Sequence, residues 1–511
     1  MSEERTIGTR GLVFNEALIF EQGSPGRMGY SLPPCDVPKK APEQLLPARL
    51  LRPEIPGMPE VSEVDVVRHF TRMSQWNFGI DLGFYPLGSC TMKYNPRINE
   101  DMARLPGFAQ AHPYQPEELT QGALTLLWEL ERYLADILGM DRVSLQPSAG
   151  AHGELLGVMM IRAHHLAKGD PRTKILIPES AHGTNPASSA LCGYQVVPIK
   201  SGARGVVEPA AVAAVMDEQV AAIMLTNPNT LGLFEEHVVE IAEIVHAKGG
   251  QVYCDGANLN AIMGITRPGD WGADVIHVNL HKTFSQPHGG GGPGAGPVGV
   301  KRHLAPFLPV PTVEKAKGRE GFVLAYERPK SVGKIRAFAA SFGVMVRAYS
   351  YIRSLGPDGL KRVAETAVLN ANYIRSQLTE AYQLPYDRPC MHECVFSDAK
   401  QLPHGVKTLD IAKRLMDYGF HPPTIYFPLI VAGALMIEPT ETESKETLDQ
   451  FIAAMRAIAH EAETEPETVR NAPHKPLLSR LDETRAARQP VLRWRPKSSG
   501  GAAGQGKTGD E

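Results

Sequence analysis

The chain has 511 residues, 43% of them hydrophobic, enough for a large buried core and for two or three domains rather than one. A formal net charge of −3 gives no electrostatic case for a nucleic-acid or membrane-surface partner. No apolar run approaches the ~20 residues that span a bilayer, and Glu3, Glu4 and Arg5 interrupt the start where a signal peptide would be apolar. A soluble, cytoplasmic protein is expected.

In chain order, residues 1–115 are rich in Pro and Gly and poor in periodic pattern, with QGSPGRMGYSLP (22–33) and GFYPLGSCTMKYNP (83–96) standing out. They read as an irregular N-terminal arm. Over 117–140, Leu119, Ala123, Leu126, Leu127, Leu130, Leu134 and Ile137 recur at helical spacing, with Pro116 at the first turn and Gly139 as the stop. Buried strands are predicted at 174–177, 195–199, 221–225, 251–254 and 275–278, with a clear helix at 238–248. Strands alternating with helices predict an α/β domain over 116–330, a mostly parallel sheet covered on both faces, with ligands beyond the carboxyl ends of its strands. A helical stretch from about 335 to 378 opens a smaller C-terminal α+β domain over 331–460. A docking tail follows at 461–498, and the small-residue stretch 499–511 is expected to be disordered. The six cysteines lack metal-site spacing and read as free thiols, and no metal is expected.

Chemistry concentrates in ADVIHVNLHKTFSQPHGGGGPGAGPVGV (273–300), where a buried strand delivers His281 and Lys282 at its end, before a glycine run. A lysine beside polar residues at a strand end suits Schiff-base chemistry, although an isolated His-Lys pair is more often a surface feature. Three upstream signals favour the chemical reading. Asp255, in CDGANLN, ends a strand 27 residues before Lys282, and pyridoxal phosphate needs a carboxylate against its ring nitrogen; an ordinary turn aspartate fits the same place. In PSAGAHGEL (147–155), Ala149, Gly150, Ala151 and His152 precede a helical run, where free N–H groups cradle phosphate. In PESAHGTNPASSA (178–190), His182 could stack on a flat ring, or simply face solvent. Phosphate loop, stacking histidine, aspartate and lysine in that order match the layout of the aspartate-aminotransferase-like (fold type I) pyridoxal-phosphate enzymes.

The resemblance then narrows. SPGRMGYSLP, YPLGSCTMKYNP, QPSAGAHGEL, PESAHGTNPAS, LTNPNTLGLFE, CDGANLNA, NLHKTFSQPHGGGGPGAGPVGV and YFPLIVAGALMIEPTETESKETLD resemble the lysine-bearing half of the glycine-cleavage P-protein family, glycine dehydrogenase (decarboxylating), up to about Trp494. That resemblance implies Lys282 as the aldimine lysine, Asp255 as partner of the pyridine nitrogen, His182 and Ala257 on opposite ring faces, and Gly150, Ala151 and His152 around the phosphate. His281 and Thr230 would be further cofactor contacts. Ser89, Thr91 and Asn95 either line the substrate entrance or only pack the arm. It also implies glycine decarboxylation with transfer of the aminomethyl group to the lipoyl arm of an H-protein, and a separate subunit 1 completing an α₂β₂ heterotetramer. The competing readings are a stand-alone pyridoxal-phosphate decarboxylase or aminotransferase, which would need a carboxylate-binding arginine and a side-chain pocket, and a non-enzymatic scaffold.

Overall fold

The computed structural model describes residues 16–52, 55, 57–112, 115–288, 294–336 and 341–494. The chain divides into two compact units: one from its two ends, up to Gly79 and from Leu477 on, and one spanning Ile80–Pro476. The segment 499–511 lies outside the described residues.

The large unit centres on a seven-stranded sheet. Its strands are β1 (Arg142–Ser144), β2 (Lys174–Pro178), β3 (Gln195–Ile199), β4 (Val220–Thr226), β5 (Gln251–Gly256), β6 (Val275–Val278) and β7 (Val298–Val300), in the order β1-β7-β6-β5-β4-β2-β3. Strands β2 to β6 pair in parallel, and β7 joins β1 and β6 antiparallel. All five predicted strands form. Alternation along them sorts side chains to two faces. Val252, Cys254 and Ile276 join one apolar cluster; Tyr253 and Val275 join another, which includes Leu156, Met160 and Ile161 of the helix Gly150–Ala167. Asp255 and His277 follow the second parity and so point to the side of that helix.

Beyond a two-stranded ribbon, β8 (Thr312–Lys315) and β9 (Phe322–Ala325), comes the helical stretch Phe342–Leu378. It breaks at Gly356 (φ 62°), which precedes Pro357, because proline disfavours the helical conformation in the residue before it. A three-stranded antiparallel sheet of β10 (Cys394–Ser397), β11 (Thr424–Ile425) and β12 (Ala434–Ile437), in the order β10-β12-β11, packs with this helix and with Lys445–Thr464 around Phe396, Phe451 and Tyr382. Leu87, from the segment before the first predicted helix, bridges to Ile437 at the edge of β12.

Two local expectations are corrected. The helix predicted over 117–140 forms as a short 3-10 turn, Glu117–Leu119, and then a helix, Gln121–Leu138, ended by Gly139 at φ 69° as foreseen. In the first 79 residues the pattern reading misses the helix Glu63–Ser74. Ser62 caps it by accepting from the Asp65 N–H while the Asp65 carboxylate accepts back. Val64, Val67, Phe70 and Met73 recur at helical spacing, yet Val64, Val67 and Phe70 are exposed, so this apolar stripe does not face the chain's own core. In the same unit the buried Glu16 carboxylate joins Arg72 (2.6 Å) and His69 (3.3 Å), and Phe20 stacks on Trp494. Among the described residues no helix is long and apolar enough to cross a membrane. All six cysteines are free thiols.

Candidate active site

A cavity of about 240 Å³ opens at the carboxyl ends of the parallel strands. Lys282, His281, Asp255, Ala257, His182, Thr230, Gly150 and Ala151 all line it, and so does Ser89. His152 does not: its imidazole turns to Ser148 and to the Ile335 carbonyl (3.1 Å), so any part it takes in a phosphate cradle is through its backbone. Thr91 and Asn95 are not in the lining either. The Thr91 N–H donates to Glu438 instead. The Thr230 hydroxyl is spent on the Ser180 carbonyl, leaving the rest of the residue to shape the wall.

Lys282 sits one step beyond the predicted strand end, on the single helical turn Leu280–Thr283 that follows β6. Among the described residues its ammonium has no ion-pair partner. The turn is pinned from below by Lys93, which is fully buried and donates to the Thr283 carbonyl (2.8 Å), Tyr351 Oη (3.1 Å) and Glu441 Oε1 (2.7 Å). Burial opposes the Lys93 charge, and Glu441 and Tyr351 more than offset it, holding the ammonium above its ordinary range. Replacing Lys93 by Met leaves Glu441 as an uncompensated buried charge and is expected to lower stability by about 3–5 kcal/mol. Denaturant unfolding checks this; a change inside 1 kcal/mol, the scale of an exposed pair, would contradict it.

Asp255 ends β5 and is only 3% exposed. Its Oδ1 accepts from the Ala257 N–H (3.0 Å) and lies 3.4 Å from His277 Nε2; its Oδ2 accepts from Asn185 Nδ2 (3.2 Å). His277 is brought there by the β5–β6 register, which sets it beside Asp255, and its Nδ1 meets Tyr253 Oη at 2.7 Å. Glu154, from the helix Gly150–Ala167, completes a close group with Asp255 and His277. Burial pushes the Glu154 carboxyl up, and the Asp255 charge adds to this. Burial also opposes the Asp255 charge, but His277, the Ala257 N–H, Asn185 and Lys282 together hold it below its usual range. Two neighbouring buried carboxyls oppose each other's charge, so the shifts divide, Asp255 lowered and Glu154 raised, while Glu154 accepts on both oxygens, from the Thr184 hydroxyl and from Asn185 Nδ2 (2.9 Å). The Thr184 hydroxyl bridges Glu154 Oε1 (2.7 Å) and His182 Nδ1 (2.8 Å), tying the predicted stacking histidine to the same network. Glu154, Thr184, Thr226, Asn258, His277 and Asn279 line the cavity and were not singled out from sequence. Glu154, in the quoted PSAGAHGEL, carried a signal: the single carboxylate in the first turn and a half of a helix that otherwise starts Gly-Ala-His-Gly.

The cavity fits an aromatic ring bearing a phosphate. The helix Gly150–Ala167 begins at Ala149 without a side-chain cap, so its first N–H groups remain available for an anion. A Cβ at Gly150 would lie 2.3 Å from Asn279 Oδ1, and one at Gly296 would lie 2.0 Å from the Ala149 carbonyl. The approach to that helix end therefore stays backbone-only. Asn279 Oδ1, His281 Nδ1 and Thr226 Oγ1 are buried with no hydrogen-bond partner among the described residues, polar atoms free to meet a bound group at the cavity. Burial and His288, edge-on at 5.2 Å, bring His281 down to about 4, so it is neutral.

Comparison with known proteins agrees with this arrangement. Residues 363–479 match the family description "Glycine dehydrogenase, C-terminal domain", and 154–308 match "Aminotransferase class-V". The chain is 60% identical over 479 residues (94% of this chain, 98% of the relative) to a probable glycine dehydrogenase (decarboxylating) subunit 2 of Caldanaerobacter subterraneus subsp. tengcongensis. It is 61% identical over 483 residues, with the same coverage, to the protein of that description in Exiguobacterium sibiricum. Among solved structures, an inhibitor-bound glycine decarboxylase (P-protein) aligns with TM-score 0.70 and 22% identity over 82% of this chain and 95% of its own. A sphingosine-1-phosphate lyase of Burkholderia pseudomallei aligns with TM-score 0.61 and 13% identity over 84% and 96%. At those identities the two structures speak for the fold.

Proposed function

The chain belongs to the glycine dehydrogenase (decarboxylating) subunit 2 family, the pyridoxal-phosphate-dependent decarboxylases of the glycine cleavage system, and from that premise we propose which of its residues do the work. The observation that carries the assignment is the convergence of Lys282, Asp255, His182 and the uncapped start of the helix Gly150–Ala167 on one cavity. When bound, pyridoxal phosphate supplies an electron sink for the pair left behind as glycine loses its carboxylate as CO₂.

Lys282 is the amine that would hold the cofactor. Gly150 and Ala151, with the His152 N–H, would hold its phosphate. His182 and Ala257 would face its ring from opposite sides. Asp255, kept ionised by His277, Asn185 and the Ala257 N–H, would keep a proton on the ring nitrogen. His281 and Thr230 shape the remaining wall. Selectivity for glycine follows from the smallness of the cavity, since the substrate offers no side chain to recognise.

As a subunit 2, the chain works with a subunit 1. We infer an α₂β₂ assembly in the cytoplasm, with the aminomethyl group passing to the lipoyl arm of an H-protein. Exposed Met28, Tyr30, Leu32, Val64, Val67 and Phe70 in the terminal unit give it the apolar surface of a partner-binding segment. This chain alone is therefore expected to be almost inactive in exchange of labelled bicarbonate into glycine, and to gain activity when mixed with subunit 1 and lipoylated H-protein. Full exchange by this chain alone, with no rise on adding subunit 1, would favour the stand-alone decarboxylase reading.

A further inference from the structure

Next to Lys282, and outside the cavity lining, lies a second buried acidic group. Glu393 immediately precedes β10 and Glu438 immediately follows β12; because Cys394 pairs with Ile437, the two glutamates are cross-strand neighbours. Both are 0% exposed, as is His392. One ring nitrogen of His392 and one oxygen of each carboxyl lie within 4.8 Å of one another. The two glutamates reach the same short segment: Glu393 Oε2 accepts from the Ser89 N–H (2.9 Å) and Glu438 Oε2 from the Thr91 N–H (3.0 Å). Ser89 (φ 65°) and Thr91 (φ 47°) are both in the left-handed region, which a β-branched threonine rarely adopts, so something must hold them there. Gly88 is packed so closely on Met436 that a Cβ would meet its Cγ at 2.2 Å, which leaves the segment no slack on that side.

Counting hydrogen bonds tells the two carboxyls apart. Glu438 accepts on both oxygens, from the Thr91 N–H and from Asn260 Nδ2 (3.2 Å), as an ionised carboxylate does. Glu393 Oε1 accepts from nothing among the described residues and faces His392 Nε2 at 3.6 Å. Among the described residues His392 has no hydrogen-bond partner at either nitrogen, so nothing there supports a charge on its ring. We propose that Glu393 and Glu438 hold one proton between them, on Glu393 Oε1, and act as positioning residues that clamp the segment Ser89–Thr91 and so fix Ser89 in the cavity wall that Lys282 shares, so that glycine turnover fails when this proton is lost. The inference rests on the reading of this cavity as the glycine site.

The surroundings favour that protonation state. The titratable groups facing the pair are His392, Cys90, Cys390, Cys394 and Lys282. Burial drives His392 down to about 3, with Lys282 adding to it, so it stays neutral. Burial first and the Glu438 charge second push Glu393 well above the ordinary carboxyl range. A group whose pKa is raised keeps its proton to higher pH than an ordinary carboxyl and loses it as pH rises, and a second buried negative charge then repels the first and releases the clamp.

The test uses the assembled complex of both subunits with cofactor. Glu393→Gln keeps the acceptor for Ser89 and cannot ionise. It is expected to turn over within a few-fold of the native enzyme at neutral pH and to have its alkaline limb of kcat/KM for glycine moved up or abolished. Glu393→Ala leaves the Ser89 N–H without its acceptor and is expected to lose kcat/KM at every pH by about tenfold or more. Independently of activity, the infrared difference between native complex and Glu393→Gln at neutral pH should contain the carbonyl band of a protonated carboxyl. An unchanged alkaline limb in a folded Glu393→Gln, inactivity of that variant at every pH, absence of the carboxyl band, or a stoichiometric metal ion bound by the native complex and lost in the variant would each overturn the proposal. The infrared measurement reads the proton even in a complex that shows no glycine exchange, so failure of the glycine reading is told apart from failure of the clamp.

Discussion

Replacing Lys282 by alanine is expected to take glycine–bicarbonate exchange below detection and to remove the borohydride-reducible attachment of the cofactor, while leaving the fold intact. The fold survives because, among the described residues, the ammonium makes no ion pair and the turn Leu280–Thr283 is held by Lys93 through the Thr283 carbonyl rather than by Lys282 itself. Activity does not survive, because no other lysine among the described residues lines the cavity. Borohydride reduction followed by peptide mapping should label the peptide containing Lys282 in the native protein and no peptide in the variant. Covalent trapping at a different lysine in Lys282→Ala would refute the assignment.

Asp255→Asn is expected to keep the cofactor bound and to lower turnover by roughly 10²–10³-fold, the scale of removing one preorganised electrostatic partner of a developing charge. Asparagine still accepts from the Ala257 N–H through Oδ1, so the end of β5 keeps its geometry. What disappears is the negative charge that His277, Asn185 and Lys282 are arranged to maintain. With that charge gone, the Glu154 carboxyl should fall back toward its ordinary range, since the Asp255 charge is one of the two causes that raise it. Exchange assays beside a cofactor-binding titration separate the two effects. Near-native turnover at full occupancy would mean that Asp255 does not hold the ring-nitrogen proton.

Much of the site was legible because its residues lie in local patterns. Lys282, Asp255 and His182 each follow a short apolar run, and in a parallel sheet every such run ends on the same edge; chain order alone therefore gathers them. Gly150 and Ala151 were legible because small residues before a helical run have a local physical use at a helix start. The same reasoning overreached at His152, since a motif says nothing of where its side chain turns, and here the Ile335 carbonyl draws it away. His277 and Glu154 were missed for the opposite reason. His277 sits mid-strand, and its role comes from the β5–β6 register; Glu154 sits one turn into a helix, and its role comes from that helix lying over the face to which Tyr253, Asp255 and His277 point.

The sequence by itself determined the five parallel strands of the central sheet and the edge on which its chemistry collects, because strand and helix periods and the stop at Gly139 are set within a few residues of each position. Only the tertiary structure decided the electrostatics. Asp255 is held below the ordinary carboxyl range and Glu154 above it, and Lys93 is a charged residue with no solvent, because burial and neighbours from distant segments set each shift. The segment Leu87–Thr91 shows the limit most clearly: its left-handed Ser89 and Thr91 are unfavourable as local sequence and persist because Glu393 and Glu438, more than 300 residues away in the chain, accept their N–H groups.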